Sequence, residues 1–285
     1  MSEQTGFRKF YLETLHAIFR PGVGNGRRKT FVFLHGSGFD ASVFMPVMAH
    51  KKLLAHDVYA LDLPGHGRSA ALPPHQAYSY ASMAERVAES LNAGGIENCV
   101  LVGWSLGGHI AFELLERTDL VSGAICCGAP AMPNNPLSTL FAFHFTKGML
   151  LASKREFNTA DANAFQSLAL GKHASDEHAQ ALMQSDGRAR LDIASNMLRL
   201  QNRDQKRLAL EAGHRLCFIH ADDDPLIRAD YIEHFTTNSQ FTGTYTPLAA
   251  GGHAPFLANP DQFLEASLTF EESLANAPAN QAMAA

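Results

Sequence analysis

The chain has 285 residues, 46% of them hydrophobic, and a formal net charge of −5. That is long enough for one large α/β domain or for a core carrying an inserted subdomain, and too apolar for a disordered chain. No basic field exists to hold a phosphate backbone, which argues against nucleic acid as a partner.

The opening residues, MSEQTGFRKFYLETLH, are polar and then alternating, without the basic-then-apolar plan of a signal peptide. No apolar stretch is long enough to span a bilayer, so no membrane partner is expected. KFYLETLHAIFRPG alternates and then turns, which predicts two opening strands in a hairpin, followed by the glycine-rich loop GVGNGRRK. TFVFLHG and DVYALDLPGHGRS are short continuous apolar runs ending in glycine or proline, the pattern of strands buried on both faces. SMAERVAESLNAGG has helical spacing (Met83, Val87, Leu91) and a glycine stop. NCVLVGWS reads as strand, LGGHIAFELLERT as helix and VSGAICCGAP as strand.

The rhythm then breaks. From Ala131 to Arg207 helix-like pieces are joined by polar segments, and no strong strand signal occurs. It resumes with RLCFIHADDDP as strand, RADYIEHFTT as helix, FTGTYTPLA as strand and NPDQFLEASLTFEESLANA as a closing helix. Strands alternating with helices predict a mostly parallel, twisted sheet covered by helices on both faces. The expected organisation is a core from 1 to 130, a helical cap from 131 to 207 and the rest of the core from 208 to 285. The last residues, ANAPANQAMAA, read as a frayed end.

The four cysteines, Cys99, Cys126, Cys127 and Cys217, lie in or beside apolar runs and form no CxxC pair. They read as small buried hydrophobes of a reducing, cytoplasmic protein rather than as zinc or redox ligands.

In an open parallel sheet reactive groups gather at the carboxyl ends of the strands. Gly103-Trp104-Ser105-Leu106-Gly107 places a serine where a strand turns directly into a helix. Such a corner is either a plain tight turn or a nucleophile held clear of its surroundings, and the strand–turn–helix context favours Ser105 as nucleophile. A serine needs a base. Of fourteen histidines, His253 in AAGGHAPF is the one late in the chain at a strand's carboxyl end. His109 is read as a packing residue of the helix after the corner, and His35 and His66 as loop residues that orient backbone. His144, His173 and His178 match no metal-ligand spacing. The base must be held in one tautomer by a carboxylate, and Asp222, Asp223 and Asp224 follow a buried strand. Three acids in a row are also what a solvated turn or a weak metal site would show; a calcium loop would need further spaced oxygens, and none follow. His35-Gly36-Ser37-Gly38 is either a bare glycine-rich loop or one whose Ser37 amide joins that of Leu106 to bind an oxyanion.

Together FVFLHGSG, ALDLPGHGRS, VLVGWSLGGHIAFELL, HADDDP and GGHAPFLANP resemble the α/β-hydrolase superfamily over essentially the whole chain. The resemblance implies a serine hydrolase without cofactor, and it selects Asp224, just before the proline, as the acid. Two types look most similar. One is the N-acyl-homoserine lactonase of this fold, through GWSLGGHI, the cap segment SDGRAR (Ser185 to Arg190) and GGHAPF. The other is the pimeloyl-carrier-protein methyl esterase, through GWSLGG and GHAPF. The lactonase type has asparagine after its HG and glutamate as its acid, where this chain has Ser37 and Asp224. A general carboxylesterase and a non-catalytic ligand-binding protein of the same fold remain as alternatives. Trp104, Phe141 and Phe145 are the candidates for the substrate-facing wall, and Arg188 and Arg190 either lie at the surface, the preferred reading, or fix the cap through an acidic partner.

Overall fold

The computed structural model describes residues 6–23, 28–144 and 146–276. The expected opening hairpin is there: β1 (Arg8–Leu12) runs antiparallel to β2 (Leu15–Arg20), with Phe10 opposite Ala17. The middle of the glycine-rich loop, 24–27, and the end of the expected frayed tail lie outside the described residues. There follow β3 (Phe31–Leu34), the short turn α1 (Met45–Met48), β4 (Val58–Leu61), α2 (Tyr80–Ala93), β5 (Cys99–Trp104), α3 (Leu106–Arg117) and β6 (Val121–Cys127). The helices α4 (Pro136–Ala142), α5 (Lys147–Leu151), α6 (Thr159–Leu170), α7 (Asp176–Gln184), α8 (Gly187–Leu198) and α9 (Gln205–Ala212) separate β6 from β7 (Leu216–Ala221). The chain ends through α10 (Ala229–Thr236), β8 (Thr244–Leu248), α11 (Pro255–Ala258) and α12 (Pro260–Asn276).

The eight strands form one sheet in the order β1-β2-β4-β3-β5-β6-β7-β8, parallel from β4 onward. Every residue of β3, β5 and β7 is buried, as the unbroken apolar runs require for strands covered on both faces. Their side chains alternate between two cores. Val32, Leu101 and Phe218 point into one, and Phe33, Val102 and Ile219 into the other. From β3 the chain first crosses to β4 on one side and later to β5 on the other. That reversal opens a crevice at the carboxyl ends of β3 and β5, the usual ligand position in such sheets.

The helical segment after β6 is tied to the core at two places. At its start, Phe143 bridges Ile227: His144 N–H donates to Leu226 O at 2.8 Å, and Arg228 N–H to Ala142 O at 3.0 Å. At SDGRAR, Asp186 N–H donates to Gly65 O at 2.7 Å, and Tyr78 Oη donates to Asp186 Oδ2 at 2.9 Å. Arg188 Nη2 reaches Leu72 O at 2.8 Å while pairing with Asp186.

Arg190 overturns the expectation of a surface residue. It is 2% exposed, and among the described residues no carboxylate pairs with it. Its guanidinium donates to Lys154 O, Arg155 O and Ser185 Oγ and lies 4.2 Å over the Phe157 ring. Burial lowers its pKa to about 10, against the raising influence of Asp186. It therefore stitches three cap segments together through carbonyls rather than through an ion pair.

Candidate active site

Ser105 sits between β5 and α3 with φ 53° and ψ −114°. A non-glycine residue in such a region costs about 1–3 kcal/mol and persists only where the surroundings over-determine it. Those surroundings are identifiable. Ser105 N–H donates to Cys127 O at 2.8 Å, which binds the corner to β6. Gly107 lets α3 close onto β3: a Cβ there would stand 2.0 Å from Leu34 O. Trp104 and Leu106 on either side are buried, whereas Ser105 is partly exposed. Leu106 opens α3, so its N–H has no acceptor within the helix and points, with the positive end of the helix dipole, toward the corner.

His253 follows β8 and Asp224 follows β7. His253 Nδ1 lies 2.8 Å from Asp224 Oδ2, both groups almost fully buried. The other oxygen, Asp224 Oδ1, accepts from Leu226 N–H at 2.8 Å and Ile227 N–H at 3.0 Å. Burial alone would push the Asp224 carboxyl up, but His253, His220 and the Leu226 amide outweigh it and hold it below the usual carboxylate range. An ionised Asp224 accepts Nδ1–H and leaves Nε2 as the free basic nitrogen of His253. Gly128, at φ 60°, makes room for this ring: a Cβ there would stand 2.7 Å from His253 Cε1. His220 is a second buried imidazole, its Nδ1 3.8 Å from the same Asp224 oxygen; burial lowers its pKa, and the Asp224 carboxylate works against that.

The loop after β3 is anchored by His35. Its Nε2 accepts from Leu63 N–H at 2.9 Å, so Nδ1 carries the proton and donates to Gly36 O at 2.8 Å. Full burial lowers its pKa to about 4, which keeps this neutral tautomer at ordinary pH. Phe39 N–H closes the loop on Gly36 O, and among the described residues no acceptor takes the Ser37 N–H. The backbone-orienting role expected of His35 is thus visible, and His66, packed 5.0 Å from it, bonds Pro64 O in the same manner. His109 is a packing residue, as expected: it stacks on Tyr80 and bonds Gln205 Oε1 at 2.7 Å.

The substrate-wall candidates fare differently. Trp104 is 1% exposed, with its ring packed among Phe39, Phe256 and His253. It offers no free face to a ligand; instead its Nε1–H donates to His253 O at 2.7 Å. Phe141 is 60% exposed on α4, beside exposed Leu137 and Leu140. Phe145 lies outside the described residues. Asp223 is the residue the sequence reading passed over. Its Oδ1 accepts from both Gly251 N–H and Gly252 N–H at 2.8 Å, in the loop that carries His253. Among the described residues no group of three or more His, Cys, Asp or Glu could hold a metal ion. A cavity of about 180 Å³ bounded by Ser138, Lys206, Tyr231 and His234 contains none of the residues above.

A mostly parallel eight-stranded sheet with a helical insertion after β6 and a sharp strand-to-helix corner after β5 defines the class of protein as one of the α/β-hydrolase fold. The chain belongs to the alpha/beta hydrolase family, whose model matches residues 31–266. It is 42% identical over 101 residues to a pimeloyl-[acyl-carrier protein] methyl ester esterase of Pseudoalteromonas atlantica, a match covering 34% of this chain and 36% of that one. With the corresponding enzyme of Yersinia pseudotuberculosis it is 26% identical over 85% of this chain and 92% of the relative. Across the first curated relatives, the chain spans between 36% and 49% of their length. In fold it is similar to a mutant of the N-acyl homoserine lactonase AidH complexed with N-hexanoyl homoserine. That structure has a TM-score of 0.82 and 22% identity, covering 95% of this chain and 98% of the other. No helix among the described residues is long and apolar enough to cross a membrane.

Proposed function

We propose that this protein hydrolyses carboxylic esters through an acyl-enzyme, with Ser105 as nucleophile, His253 as base and Asp224 as the group that orients the base. The observation that carries the reading is the buried 2.8 Å contact between His253 Nδ1 and Asp224 Oδ2, at the carboxyl ends of the parallel strands, where the strained Ser105 also lies. Ser105 Oγ attacks the ester carbonyl carbon as its proton passes to His253 Nε2. The carbonyl electron pair moves onto oxygen, which the amides of Leu106 and Ser37 receive; one such donor is worth about 10²–10³ in rate. Collapse expels the alkoxide, which takes the proton back from His253. Water, deprotonated by His253, then releases the acid.

The substrate class put forward is the N-acyl-homoserine lactone, whose ring ester would be opened to the N-acyl-homoserine. The motif likeness to the lactonase type and the fold shared with the AidH complexes support it. A lactone carbonyl fits the same oxyanion site as a linear ester, but its leaving hydroxyl stays attached to the acyl group, so water must outrun reclosure of the ring. The 42% match to a methyl ester esterase supports linear esters as the second reading. The test is a screen of acyl-homoserine lactones and linear methyl and p-nitrophenyl esters with products identified by mass. For the lactone reading kcat/KM should rise with acyl length, by about 0.8 kcal/mol for each methylene buried. Intact lactones at every chain length, alongside hydrolysed linear esters, would leave the carboxylesterase reading standing. A protein that turns over none of these would instead be the ligand-binding protein of this fold, and a Ser105→Ala variant as active as the parent would overturn Ser105 as nucleophile.

A further inference from the structure

We propose that Asp223 and Trp104 are positioning residues that hold the main chain of the His253 loop, so that the neighbours of the acid and of the nucleophile set where the base stands. The inference rests on the reading of His253 as base. Four consecutive loop residues are gripped by side chains from outside the loop. Asn259 Nδ2 donates to Ala250 O. Asp223 Oδ1 accepts from Gly251 N–H and Gly252 N–H at 2.8 Å each. Trp104 Nε1–H donates to His253 O at 2.7 Å, in a buried contact. The imidazole itself is held by Asp224.

The arrangement has a common logic. Trp104 immediately precedes Ser105, and Asp223 immediately precedes Asp224. At the end of each strand, one residue presents a group to the chemistry and the residue before it reaches the main chain that carries the base. The positions of Ser105 and Asp224 relative to His253 are thereby coupled to two short covalent connections rather than to the long chain between them. Without the grip, this glycine-rich loop has little to resist displacement: Gly251 and Gly252 supply no side chains, and Gly252 lies at φ 58°. A shift of the base by 1 Å costs on the order of 100-fold in rate.

The two adjacent aspartates should answer the same substitution, to asparagine, differently. At 223 the partners are two amide donors, and the side-chain oxygen of asparagine can accept both. At 224 one oxygen is already committed to Leu226 and Ile227 amides, so asparagine would turn its NH₂ toward His253 Nδ1.

The experiment measures kcat and KM on a p-nitrophenyl ester for Asp223→Ala, Asp223→Asn and Trp104→Phe, with Asp222→Ala as the exposed control. Backbone hydrogen exchange is followed at 250–253, and thermal melting establishes that each variant is folded. Asp223→Ala should lose about 10- to 100-fold in kcat with KM nearly unchanged, and amides 251 and 252 should exchange faster. Asp223→Asn should restore most of that loss and the protection, and Trp104→Phe should lower kcat in the same range. A folded Asp223→Ala variant with parental kcat would overturn the proposal, as would an Asp223→Asn variant as impaired as the alanine. His253→Ala separates the two readings. If it stays active, the base is misassigned; if it is inactive while Asp223→Ala keeps the parental kcat, only the positioning inference fails.

Discussion

Asp224 divides its two oxygens between tasks, and that division predicts what its amide would do. Oδ1 takes the Leu226 and Ile227 amides, so an asparagine must keep its carbonyl there and offer NH₂ to His253 Nδ1. Nδ1 would then accept, the proton would move to Nε2, and the base could no longer take the serine proton. Asp224→Asn should therefore fold normally and lose up to about 10⁴-fold in kcat, measured against a p-nitrophenyl ester. Covalent labelling with a fluorophosphonate should go to Ser105 alone and slow in parallel. Labelling of another serine at the parental rate in Ser105→Ala would remove Ser105 from the mechanism.

At the scale of elements, the serine corner depends on how closely α3 lies on β3. A methyl at 107 would meet the Leu34 carbonyl oxygen at 2.0 Å, and backbone on both sides leaves nothing to yield. Gly107→Ala should destabilise the fold by about 3 kcal/mol, read by denaturant unfolding, and misplace Ser105 in whatever remains folded. The cap depends on a different device. Arg190→Leu keeps bulk but abandons the carbonyls of Lys154 and Arg155, so cap amides near 154–158 and 182–190 should exchange faster while the sheet stays protected. The strands and the corner were legible because unbroken apolar runs, glycines and chain order are written along the sequence. Arg190, Trp104 and Asp223 were not, because each depends on where a side chain turns after leaving the main chain. An arginine on a polar cap helix has the spacing of a surface residue until the carbonyls it reaches, 35 and 36 residues away, are brought beside it. Likewise, three successive aspartates look alike until the strand end sends one to amides and the next to an imidazole.

For the whole molecule, the buried histidines set a pH boundary. His35, His66 and His109 are all fully buried, and burial lowers their pKa values to about 4, 3 and 4; the second is lowered further by the nearby His35. Hydrogen bonds to Gly36, Pro64 and Gln205 work in the opposite direction without restoring the ordinary value. Each is neutral in the folded chain at a pH where the unfolded chain, with histidines near 6.5, already binds the proton. The unfolded state thus holds more protons below about pH 6.5, and stability falls as pH is lowered from there toward 4. Stability is fully present above that window. Inside it each group removes on the order of 1.4 kcal/mol per pH unit, so three together remove several. His35 bonds Gly36 O in the loop after β3 and His66 packs on His35, so their protonation should disturb that loop along with the fold. Melting temperature should therefore be flat from pH 8 to about 7 and drop steeply below about 6. His109→Gln, remote from that loop, should flatten the drop without touching the remaining two contributions. A melting temperature that holds constant down to about pH 4.5 would mean that these imidazoles are hydrated in solution rather than sealed in the core.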